Sequence, residues 1–122
     1  MILVDTSVWA EHLRSANRVL SGLLTGSSVF GHPWVTGELA LGNLGDRVNV
    51  IRLLQGLPQA VVAHDGEVLR LVEQEVLSGS GIGYVDAQLL AATRLTPGAA
   101  LWTRDKRLSA VASRLGVGFL PA

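Results

Sequence analysis

The chain has 122 residues, 48% of them hydrophobic, and its ten Lys plus Arg balance ten Asp plus Glu. That length fits a single domain over residues 1–122 with a sizeable core; the absence of cysteine excludes disulfides, thiolate-bound metals and cysteine nucleophiles, and zero net charge leaves any nucleic-acid binding to local clusters. No apolar stretch approaches the ~20 residues of a membrane span, and the first residues lack the basic stretch and long apolar run of a signal peptide, so a cytoplasmic protein without membrane contact is expected.

Residues 1–4 (Met-Ile-Leu-Val) read as a buried strand, with Thr6 or Ser7 placed to cap the helix after it and Trp9, Ala10 and Leu13 on one face of that helix. A second helical stripe, Val19, Leu20, Leu23 and Leu24, ends at Gly26, and residues 28–31 form a short strand candidate. After His32-Pro33, the spacing of Val35, Leu39, Leu41 and Leu44 suggests a helix that carries Glu38, weakened by Gly37, Gly42 and Gly45. Residues 47–54 are helical, and Gly56 and Pro58 stop them; Ala60-Val61-Val62-Ala63 reads as a third strand. Asp65 is placed to cap a helix running to about Leu77, and a glycine-rich loop follows over 78–83. Residues 84–95 form an alanine- and leucine-rich helix with Asp86 in its first turn, stopped by Pro97-Gly98. Residues 99–103 are a strand, 106–115 a helix and 117–120 a last short strand. Strands alternating with helices over short loops require a mainly parallel sheet covered on both faces.

In such a sheet the loops after the strand C-termini converge where strand order reverses. Asp5 and Asp105 follow predicted strands, while Glu38 and Asp86 fall early in helices, so four carboxylates can meet at one sheet edge. Bare carboxylates so close repel one another, and a divalent cation removes that repulsion. Oxygen-only donors suit Mg²⁺ or Mn²⁺, an ion of that kind activates water, and hydrolysis of a phosphodiester is the natural reaction. Taken singly, an acid at a strand or helix end is more often a cap or a solvated charge; the set carries the argument.

Val4-Asp5-Thr6-Ser7-Val8-Trp9, Thr36-x-Glu38, Gly83-x-x-Asp86-Ala87-Gln88-Leu89-Leu90-Ala91-Ala92 and Leu101-Trp102-Thr103-Arg104-Asp105, in this order over nearly the whole chain, resemble the PIN domain of small bacterial VapC-type toxins. The resemblance implies a PIN-like three-layer α/β/α sandwich and a Mg²⁺- or Mn²⁺-dependent endoribonuclease. It further implies a homodimer and a cognate VapB-type antitoxin that covers the active site. Asp5 and Asp86 match direct metal ligands, Glu38 a ligand acting directly or through water, and Asp105 a ligand lying further out or on a second ion. Thr6 and Thr103 match hydroxyl positions that orient a carboxylate or a bound water. A nuclease acting on DNA, and a non-catalytic binding or regulatory module whose acids only cap helices, stay open as alternatives.

Arg104, Lys106 and Arg107 flank Asp105 and are the RNA-binding candidates; Arg14, Arg18, Arg47 and Arg52 extend the possible phosphate track. Trp102 lies inside a strand and is expected in the core, whereas Trp9, Trp34 and Tyr84 suit either packing or contact with a base or partner. His12, His32 and His64 lack metal-ligand spacing and read as surface or loop residues. The loop at 78–83 has Gly79-x-Gly81 followed by Tyr84 and comes after a helix, so it is no dinucleotide fingerprint.

Overall fold

The computed structural model describes residues 1–121. Three parallel strands, β1 (Ile2–Val4), β2 (Val29–Phe30) and β3 (Ala100–Trp102), stand in the order β2-β1-β3. Seven helices accompany them: α1 (Thr6–Arg14), α2 (Arg18–Thr25), α3 (Pro33–Ala40), α4 (Arg47–Gly56), α5 (Asp65–Gln74), α6 (Tyr84–Leu95) and α7 (Lys106–Arg114). From β1 the chain moves to one side of the sheet and then crosses to the other to form β3. Right-handed crossovers place the intervening helices on opposite faces, which gives the three-layer α/β/α arrangement. The reversal of direction leaves a switch point at the C-terminal end of β1.

β1 is the middle strand, and its side chains Leu3 and Val4 are fully buried. They join one continuous apolar cluster with Val8 and Trp9 of α1, Leu20 of α2, Val29, Leu54, Val68, Leu89 and Leu90 of α6, Leu101 and Leu108. Burying side chains of this size stabilises the fold by about 1.5–3 kcal/mol each. α6 is the most enclosed helix: all residues from Ala87 to Thr93 are buried, so its first turn, with Asp86, is held against the sheet.

Two expected strands are reduced to single bridges. Gly31 pairs with Gln59, where Gly31 N–H donates to Pro58 O (2.8 Å) and Ala60 N–H to Gly31 O (2.9 Å), but the ladder stops there. β2 offers only two residues, so the segment at 60–63 has nothing further to pair with; Val61 N–H turns to Thr96 Oγ1 instead, and Val61 and Val62 are each 45% exposed. At the other edge the expected strand over 117–120 pairs only at Gly118 with Leu101.

The caps also depart from expectation. His64, not Asp65, is the N-cap of α5, with its N–H held by Glu67 Oε1 at 2.9 Å, and the helix ends at Gln74 because Val76 takes a left-handed conformation (φ 52°). α3 forms despite its glycines: Pro33 opens it, His32 Nδ1 accepts the Trp34 N–H at 3.1 Å, and Val35 and Leu39 bury its inner face. Arg47 closes the loop after it by donating to Ala40 O (2.5 Å) and Gly42 O (3.4 Å).

Candidate active site

The ends of β1 and β3 meet at the switch point. Asp5 N–H donates to Trp102 O at 2.9 Å, which sets the Asp5 carboxylate beside the residues that leave β3. Asp5 is the N-cap of α1, yet its side chain caps nothing. Its Oδ2 accepts instead from Ser7 Oγ (2.8 Å) and Thr103 Oγ1 (2.7 Å). Those hydroxyls in turn accept from Arg104 N–H and Asp105 N–H, both at 3.1 Å. Neither Thr6 nor Ser7 caps α1, contrary to the sequence reading, because both hydroxyls serve carboxylates.

Glu38, on α3, accepts the Thr6 hydroxyl at Oε1 (2.5 Å). Asp86 Oδ2 accepts from Gly83 N–H at 3.0 Å, which closes the first turn of α6. Asp105 caps α7, with Oδ1 accepting from Arg107 N–H (2.9 Å) and Leu108 N–H (3.0 Å). Each acid therefore has one oxygen held by the chain. The other oxygen of each, Asp5 Oδ1, Glu38 Oε2, Asp86 Oδ1 and Asp105 Oδ2, accepts no hydrogen bond among the described residues. Asp5 is only 7% exposed, but its second oxygen is not among the buried atoms without a partner, so it opens onto solvent.

Three of the carboxylates act on the fourth, Asp86. Burial raises the Asp86 carboxyl above the usual aspartate range; the Gly83 N–H offsets part of this, and the charges of Asp5, Asp105 and Glu38 add to the rise. No lysine or arginine is among the groups acting on it. Among the described residues, no three Asp, Glu or His side chains stand as a finished metal-holding group, so the acids are gathered without being closed into a coordination shell. Oxygen-only donors, mutual repulsion without a compensating protein cation and one unoccupied oxygen per acid fit a hard divalent ion.

No family model matches the chain. Proteins named Ribonuclease VapC32 from two strains of Mycobacterium tuberculosis are 54% identical to it over 118 residues, which cover 96% of this chain and 94% of each relative. The chain belongs to the VapC ribonuclease family.

In this VapC-family chain the cations near the acids differ in availability. Arg104 is paired with Glu11 through Nε–Oε2 (2.8 Å) and Nη1–Oε1 (3.2 Å), and Arg47 is occupied with the α3–α4 loop. Lys106 and Arg107 have no carboxylate partner among the described residues. Trp102 is in the core as expected, and Trp9 joins it; Trp34 and Tyr84 are 39% and 43% exposed and meet edge to face with ring centroids 6.2 Å apart. His32 overturns its reading as a surface or loop residue. It is fully buried, its Nε2 has no partner, and desolvation lowers its pKa to about 4. Ser7 is the site residue that the sequence reading missed. Its signal was present in Asp5-x-Ser7, a spacing at which a hydroxyl reaches back to a carboxylate two residues earlier.

Proposed function

We propose that the protein is the toxin of a toxin–antitoxin pair, an endoribonuclease whose Asp5, Glu38, Asp86 and Asp105 hold Mg²⁺, or Mn²⁺, to hydrolyse RNA phosphodiesters. The observation that carries this reading is the raised Asp86 carboxyl, burdened by burial and by three neighbouring carboxylates with no protein cation against them. A divalent ion held by these acids would supply the missing positive charge and would polarise an attacking water and the phosphoryl oxygens. The chain's own residues fix the acids that hold it: Ser7 and Thr103 orient Asp5, Thr6 steadies Glu38, and Gly83 N–H holds Asp86. No side chain need act as a nucleophile.

A groove of about 340 Å³ borders Thr6 and Glu38, with Ala10, Leu13, Leu39 and Leu44 among its walls. Its apolar sides next to an acidic centre suit an amphipathic segment of a VapB-type antitoxin. Membership in the family supports a homodimer in the cytoplasm; no helix among the described residues is long and apolar enough to cross a membrane.

Incubation with RNA and with single-stranded DNA, each with Mg²⁺, Mn²⁺ or chelator, tests the reading. RNA cut only with metal, and no longer cut by folded Asp5→Asn and Asp86→Asn variants, is expected. Cleavage that persists in chelator or in both variants would overturn the site; cleavage of DNA alone would overturn the substrate.

A further inference from the structure

We propose that Arg107 is an anchor for a phosphate of the RNA adjacent to the one being cut, an inference that rests on the ribonuclease reading of the site. Arg107 is the second residue of α7, and its N–H donates to Asp105 Oδ1, so its backbone is tied to one of the four acids. Its side chain lies across the loop that leads into α6. A Cβ on Gly81 would stand 2.8 Å from Arg107 Cδ and 3.1 Å from Nη1, and Gly81 has φ +86°. The backbone conformation thus favours glycine there, and the far end of the Arg107 side chain lies close against it. Two residues on, Gly83 N–H holds Asp86. Arg107 therefore bridges the two segments that position Asp105 and Asp86.

Four other arginines have an acceptor within the chain: Arg47 a carbonyl, Arg94 Glu75, Arg104 Glu11, and Arg114 the Glu75 carbonyl. The Arg107 guanidinium has none among the described residues, and the residue is exposed, with the end of its side chain close to Gly81. A planar guanidinium with no acceptor of its own is available to grip a phosphate in two-point fashion. Arg107 lies in the first turn of α7 beside Asp105, with the end of its side chain along the loop at Gly81 that leads into α6. That position suits a flanking phosphate and leaves the scissile one to the metal site. Lys106, the first residue of α7, is exposed as well and adds diffuse attraction.

The test is binding of a short, labelled, mixed-sequence RNA in chelator over a range of salt, together with cleavage kinetics in Mg²⁺. Arg107→Gln should weaken binding about tenfold and reduce the salt slope by about 0.7, the share of one single-strand phosphate contact. KM should rise with kcat nearly unchanged, because a flanking phosphate is held alike in ground and transition states. Arg107→Lys should recover part of the loss. Gly81→Ala, which keeps the charge but displaces the end of the side chain, should raise KM, and Arg94→Gln, whose guanidinium is held by Glu75, should leave the salt slope unchanged. A folded Arg107→Gln protein with wild-type slope and KM would sink this inference while leaving the ribonuclease reading intact. A wild-type protein that neither binds nor cuts RNA would sink both.

Discussion

Thr103, just after the last strand, donates its hydroxyl to Asp5, just after the first, at 2.7 Å across 98 residues of sequence. The same Asp5 oxygen takes the Ser7 hydroxyl, so the other oxygen is aimed outward by two short bonds from different segments. Thr103→Val keeps the shape and removes the donor. It should fold normally, lose activity by about tenfold or somewhat more, and need more metal for half-maximal cleavage, as supporting hydrogen bonds to ligands do. A metal titration of cleavage checks this; an unchanged half-saturation point would show that the bond orients nothing.

Asp86 is a group whose charge the fold opposes. A carboxyl raised above its unfolded value contributes stability while protonated and loses it as pH rises through the folded pKa. At neutral pH the ionised form therefore strains the apo-protein. Asp86→Asn should raise the melting temperature in chelator by a few degrees, and added Mg²⁺ should raise that of wild type more than that of the variant. Thermal unfolding with and without the ion measures both effects.

His32 fixes a different pH dependence. Its folded pKa is about 4, against 6.5 when unfolded, because burial disfavours the imidazolium. As pH falls from about 6.5 to about 4, the unfolded chain takes a proton that the folded one refuses, so stability declines through that window and the loss is complete below it. His32→Asn retains an N-cap acceptor for Trp34 N–H without the titration. Denaturant unfolding across the window should show a flatter pH slope for the variant; equal slopes would assign the decline to other groups.

Arg47 joins the end of α3 to the start of α4 through two carbonyls. Arg47→Ala should cost about 1 kcal/mol, the range for an exposed charged hydrogen bond, and should loosen the loop at residues 41–46. Limited proteolysis should then cut there first. An unaltered cleavage pattern would mean that the left-handed Asp46 and its bond from Asn49 hold the loop by themselves.

What could be read from the sequence was local. α6 was legible at both ends because Gly83 and Pro97-Gly98 punctuate an alanine- and leucine-rich run, and the structure has the helix over Tyr84–Leu95. Asp5, Asp86 and Asp105 were legible because each stands at the boundary of an element, whereas Glu38, expected early in its helix, is the sixth of the eight residues of α3. The segment at 60–63 was not, since an apolar run says strand without saying whether a neighbour is long enough to pair with it. His32 was misread for a related reason: its flanks look like a turn, and only the packing of other elements over α3 buries it. The pairing of Arg104 with Glu11 joins residues 93 apart, which no local pattern encodes.

The sheet order β2-β1-β3 sets the timing of the enzyme's birth. β1 leaves the ribosome first, yet it lies in the middle, and the neighbour that completes its far side is made last. A nascent chain ending before β3 carries Asp5, Glu38 and Asp86 but lacks Trp102 O and Thr103, the groups that fix Asp5 in place. Until β3 and Thr103 have emerged and docked, the growing polypeptide holds acids that no site has yet drawn together.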